Sequence, residues 1–105
     1  MNHIVDRQML LLSLQLALLG EVHPTLRQAS IEADTKLQIV RLRFEYEGNP
    51  SDIAKECCSC AATCVIADFP DPWRLDEQHC AVPMPDPLSP LAHIAYLRAE
   101  SRAAR

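Results

Sequence analysis

Apolar residues recur along this chain with two periods, and the changes of period mark its elements. From Ile4 to Leu19 leucine dominates. Asp6 and Ser13 share one helical face, Gln8 and Gln15 another, and Gly20 stands where a helix C-cap belongs. This predicts an amphipathic helix over about 4–19. The period then drops to two. Ala29, Ile31 and Ala33 alternate with Gln28, Ser30, Glu32 and Asp34, which predicts a strand with one wet face. Asp34, Thr35 and Lys36 make a turn. Leu37–Glu47 is the most regular strand, with Val40, Leu42, Phe44 and Tyr46 on one side and Arg41, Arg43, Glu45 and Glu47 on the other. Leu37 and Ile39 are out of phase with that core set, which allows a bulge near Ile39. Two such strands across a short turn form a hairpin.

The helical period returns between Ser51 and Pro72. Ile53, Cys57, Cys60, Cys64 and Ala67 are spaced by four, three, four and three, so they share one face, with Lys55, Glu56, Ser59 and Thr63 mostly off it. Asn49 or Ser51 caps the start, Pro50 is tolerated in the first turn, and Pro70 and Pro72 prevent continuation. A helix with one apolar stripe needs a surface to cover, and the flanking strands supply a sheet. Trp73–Val82 reads as a further strand, and the proline-rich Pro83–Pro90 as a surface connection. For Leu91–Glu100 helix propensity competes with the alternation of Ala92, Ile94 and Tyr96. The strand reading, about Ala92–Arg98, gives a hairpin with Trp73–Val82 and a frayed tail beyond. The expected fold is therefore α+β in the order α-β-β-α-β-β, an antiparallel sheet with helices packed on it, as one domain over residues 1–105.

Charge and composition narrow the function. The net charge is −4, from 14 acidic and 10 basic residues. That argues against a nucleic-acid binder, which shows a basic patch. The greasy Met9–Leu19 run is too short to span a bilayer. It also lacks the cationic start and small-residue cleavage site of a signal peptide. Five cysteines, four crowded at 57, 58, 60 and 64, read as reduced thiols and so as a cytoplasmic protein. His3, His23, His79 and His93 are scattered, two glycines cannot build a phosphate loop, and no nucleophile elbow is present, so the chain does not read as an enzyme and implies no cofactor.

Two acidic patches remain as candidate binding surfaces. Asp68, Asp71, Asp76, Glu77 and Asp86 stand against a lone Arg74, with Phe69 and Trp73 among them. An aromatic ringed by carboxylates suits docking of a basic protein, with Trp73 as anchor. Covering the core edge is the plainer role for both aromatics. Glu45, Glu47, Asp52 and Glu56 form the second patch, although Asp52 is also explained by the helix dipole. The cysteines admit one other chemistry. Cys57, Cys60 and Cys64 share the predicted face and, with Cys80 or His79, make a conceivable four-ligand metal set. The Cys57-x-x-Cys60 pair sits too far inside its helix for a thioredoxin-type dithiol. Burial as small hydrophobes is the simpler reading.

Four phrases follow one another at characteristic spacing: ALLGEVHPTLR (Ala17–Arg27), RFEYEGNPSDIAKE (Arg43–Glu56), VIADFPD (Val65–Asp71) and AYLRAE (Ala95–Glu100). In these the chain resembles the CdiI-like immunity proteins of bacterial contact-dependent growth inhibition. The resemblance implies a cytoplasmic protein that binds the C-terminal toxin domain of its own CdiA effector, often a nuclease, and blocks it without catalysis. It carries over no contact residues, and the cysteine cluster departs from the family pattern. Two rivals stand beside it. One is a metal or redox module using the cysteines. The other is a homodimeric accessory protein, since the first helix is greasy on several faces and leaves surface for weak self-association.

Overall fold

The structure, a computed structural model, describes residues 5–100. Its elements are α1 (Arg7–Ala17), β1 (Leu26–Asp34), β2 (Ile39–Tyr46), α2 (Asp52–Ile66), β3 (Arg74–Ala81) and β4 (His93–Leu97). Asp6 caps α1, its side chain accepting from the Met9 amide, and Ile4 lies outside the described residues. Gly20 takes a positive φ of 79° just beyond the helix end. Between β1 and β2, Asp34 Oδ1 accepts from the amides of Lys36 and Leu37, and Gln38 turns through a positive φ of 54°.

The four strands form one sheet in the order β3-β2-β1-β4. It is mixed, not antiparallel: β1 is antiparallel to both β2 and β4, but β3 runs parallel to β2. The expected hairpin between β3 and the last strand is replaced by two opposite sheet edges. Length explains the parallel pair. The 15-residue helix α2 rises about 22 Å. The 8-residue strand β2 is about 26 Å long. The helix therefore carries the chain back to the starting end of β2, and the next strand must run alongside it in the same sense.

Both helices cover one sheet face. Val40, Leu42, Phe44 and Tyr46 all point into it and are fully buried, with Ala29 and Ile31 from β1. Leu10, Leu14 and Leu18 descend from the α1 side, and Ala54, Cys58, Ala61, Ala62 and Val65 from α2. The α2 stripe is thus rotated by one residue from the predicted one. Ile53 is 66% exposed, Cys60 and Cys64 are exposed, Cys57 is half-buried, and Cys58 is the cysteine in the core. The large Phe44 and Tyr46 on the sheet leave room only for small side chains opposite, so the alanines face inward and the bulkier residues do not. Ser51 caps α2, accepting from the Ala54 amide.

The second sheet face is dry over part of its area and half-exposed at Glu32, Arg41 and Asp76. Gln28, Ser30 and Glu45 are fully buried because the proline-rich segment crosses it on the way from β3 to β4. Glu45 accepts from the Ser89 amide with both carboxylate oxygens and from Gln28 Nε2, and Ser30 Oγ accepts from the Leu91 amide. The Asp71–Pro72 and Met84–Pro85 bonds are cis. Ile39 pairs in register with Asp34, so the bulge falls elsewhere. The β1–β2 register slips between Leu26 and Gln28, leaving Arg27 as the extra residue, and β1–β4 slips between Ala29 and Ser30. Arg27, 3% exposed, donates to the Val82 and Asp86 carbonyls and forks onto Glu100 at 2.7 and 2.9 Å. Glu100 is therefore anchored rather than frayed; residues 101–105 lie outside the described residues.

Candidate functional site

The sheet divides the acidic stretch after α2. Alternation along β3 puts Leu75, Glu77 and His79 on the helix side and Arg74, Asp76, Gln78 and Cys80 on the other. Asp76 lies 3.5 Å from Arg41, which also approaches Glu32. Glu77 accepts from Ser59 Oγ of α2 and from His79 Nε2, while His79 Nδ1 receives the Tyr46 hydroxyl at 2.7 Å. Phe44, Tyr46 and His79 stack, so this polar chain braces α2 on the sheet. Phe69, only 8% exposed, belongs to the core; Trp73 is half-buried against it, the ring centroids 5.0 Å apart. Asp71 and Asp86 are exposed.

The second predicted patch is also dispersed. Glu45 is buried beneath the strap formed by residues 83–91, and Glu47 is paired with Arg98 at 2.8 Å. Asp52 and Glu56 are exposed on the first turns of α2. The cysteines do not assemble as a ligand set. Cys80 sits across the sheet from the α2 thiols, and among the described residues no three His, Cys, Asp or Glu side chains are grouped to hold a metal. Burial pushes the Cys58 thiol up to about 11. Displaced water around the exposed Cys60, and then the Glu21 carboxylate, raise that thiol as well. A thiol kept protonated by burial, as Cys58 is, is a poor nucleophile.

The structure instead brings α1 and α2 together along an open cleft of about 370 Å³. Leu16, Ala17 and Leu19 line one wall and Cys60 and Cys64 the other, with Glu21 and Asp68 at its ends. Ser13 donates to Asp68 at 2.7 Å, tying the middle of α1 to the residue just past α2. Leu12, Leu16 and Leu19 are 57%, 59% and 74% exposed; Leu12 and Leu16, four apart, form a ridge on the outer side of α1, and Leu19 extends it just past the helix end. The sequence shows the first helix greasy on several faces, which reads there as surface for weak self-association; the structure gathers that surplus into this ridge. Cys60 and Cys64 were assigned to the core through the one-residue rotation of α2.

An apolar cleft between two helices, fringed by carboxylates, is equipment for holding another protein, and its thiols suit packing more than chemistry. The chain belongs to the MafI2 immunity protein family, whose sequence model matches residues 7–100. Comparison with curated proteins gives no match. Membership makes this a bacterial toxin-immunity protein, which neutralises a cognate toxin by binding it, and points to an inhibitor rather than an enzyme. Among the described residues no helix is long and apolar enough to cross a membrane.

Proposed function

We propose that the chain works in the cytoplasm as a stoichiometric inhibitor of a nuclease toxin, the C-terminal domain of a large secreted effector. The CdiA type of effector is the one that the sequence resemblance favours. The observation that carries this reading is the charge: −4 on a small immunity-family protein. A nuclease cleft is built to hold phosphates and attracts a carboxylate surface, and complementary charge speeds capture of a toxin that has just entered the cell. Five unpaired cysteines support a reducing compartment. Asp68, Asp71, Asp86, Asp52 and Glu56 are the predicted acids best able to meet a partner, since all five are exposed, Asp68 while accepting from Ser13, whereas Asp76, Glu77, Glu45 and Glu47 are held by neighbours on the sheet. Trp73 contributes an edge to the contact while its body supports Phe69.

The test is co-expression with the toxin fragment encoded beside this reading frame. Rescue of growth, and protection of nucleic acid in a cleavage assay with equimolar protein, is the expected result. Rescue without any nucleolytic activity of the fragment would remove the nuclease part of the reading.

A further inference from the structure

The net charge of this protein is not spread over its surface. Residues 5–21 and 51–73, which carry the helical layer, hold Asp6, Glu21, Asp52, Glu56, Asp68 and Asp71 against Arg7 and Lys55 alone. The rest of the chain has eight carboxylates and eight cations, so the whole of the −4 resides with the helices. On the sheet side the opposite charges neutralise one another: Arg27 with Glu100, Arg41 with Glu32 and Asp76, Arg98 with Glu47 and Glu100. In the helical layer the Lys55–Asp52 contact is long, at 3.9 Å, and the Asp52 side chain is fully exposed. The same layer presents the Leu12, Leu16 and Leu19 ridge and the cleft beside Cys60 and Cys64.

We propose that the α1–α2 cleft is where the toxin docks, occupied by an amphipathic helix of the toxin domain. Its apolar ridge lies on Leu16, Leu19, Cys60 and Cys64, and its flanking lysines or arginines face Glu21 and Asp68. The proposal rests on the immunity reading and adds the surface and the chemistry of the occupant. Side chains four apart along a helix form a ridge against which the groove of another helix packs, and Leu12 and Leu16 are so placed on α1. More than half of each leucine is already exposed, so a partner removes apolar surface from water without first prising the fold apart. Cys60 adds wall area to the cleft. A second copy of this chain does not suit the cleft. A two-fold contact would set one uncompensated acidic layer against another.

The experiment uses the full chain and the toxin domain encoded beside it. Leu16→Gln/Leu19→Gln removes the ridge without changing charge, and both side chains are exposed, so an unchanged thermal unfolding profile is the control. The expected result is a Kd raised about tenfold or more. Glu21→Lys should slow association and flatten its dependence on salt. Maleimide labelling of Cys60 and Cys64 should slow at least about tenfold when the toxin domain is bound, as it does for groups removed from solvent. Tight binding by the wild-type chain, equalled by the double variant and with labelling unaltered, would place the toxin elsewhere and overturn the proposal. No binding by the wild-type chain would instead defeat the immunity reading beneath it. Dimers in light scattering that shield both cysteines without toxin would make a second copy the occupant and overturn the proposal also.

Discussion

Replacing Glu100 by Gln removes the charge from a clamp that closes the whole sheet side. Glu100 accepts from Arg27 Nε at 2.7 Å, from Arg27 Nη2 at 2.9 Å and from Arg98 Nη2 at 3.1 Å. Arg27, in turn, holds the Val82 and Asp86 carbonyls and so fixes the strap over β1. The Arg27 guanidinium, ahead of the opposing effect of partial burial, holds the Glu100 carboxyl down at about 2, against an ordinary 4.5. At about 1.4 kcal/mol per pH unit, that gap corresponds to about 3 kcal/mol. Glu100 is 22% exposed, so solvent screens part of it, and about 2 kcal/mol is the working figure. Because the folded-state value is the lower one, this stability is full above pH 4.5 and is lost as pH falls from 4.5 toward 2. Urea unfolding of wild type and Glu100→Gln from pH 7 to pH 3.5 measures it. The two should differ by about 2 kcal/mol at neutral pH, with the difference narrowing steadily below pH 4.5. Arg27→Met should cost more, about 3–5 kcal/mol, since it takes the donor from two carbonyls and leaves Glu100 with Arg98 alone. A difference between wild type and Glu100→Gln that is absent at pH 7, or constant across the range, would refute the clamp.

Three further outcomes are expected. Ala61→Leu, at the close approach of α2 to the sheet, should lower stability by about 1–3 kcal/mol, whereas Ile53→Ala on the outer face should change it by less than about 0.5 kcal/mol; urea midpoints distinguish them. Ser51→Ala removes the cap on α2 and should cost about 1 kcal/mol in the same assay. A colorimetric thiol reagent should label Cys60 and Cys64 in the folded protein at pH 8 and reach Cys58 only after unfolding, because Cys58 is fully buried and its thiol stays protonated to about 11.

How far the chain could be read in advance differs from element to element. The β2 alternation identified its four buried side chains directly, because a period of two admits only two faces and one of them was charged. The same alternation in β1 misled, since Gln28 and Ser30 look solvated until a distant segment is laid over them. In α2 both the predicted and the true stripe have helical spacing. Hydropathy ranks Ile53 and the outer cysteines above the alanines, and only the bulk of Phe44 and Tyr46 across the interface reverses that ranking. The candidate site suffered most from this. Asp76 and Glu77 are neighbours in the chain, but strand geometry sends them through opposite sheet faces, one to Arg41 and the other to Ser59 and His79.

Local information in the amino-acid order was sufficient to locate the helices and the first three strands, the turn at Asp34, a cap at Asn49 or Ser51 and the acidic balance, for each of these depends on residues within a turn or two of one another. Four things required the assembled molecule: which edge β4 joins, the parallel sense of β3, the rotation of α2, and the placing of Glu21 and Asp68 at the cleft beside Leu16 and Leu19. Each of those turns on contacts between residues far apart in the chain, whose energies are comparable for several arrangements until side-chain volumes and buried charges are matched across the interface. The same matching left the sheet face electrically closed and the helical face acidic and open.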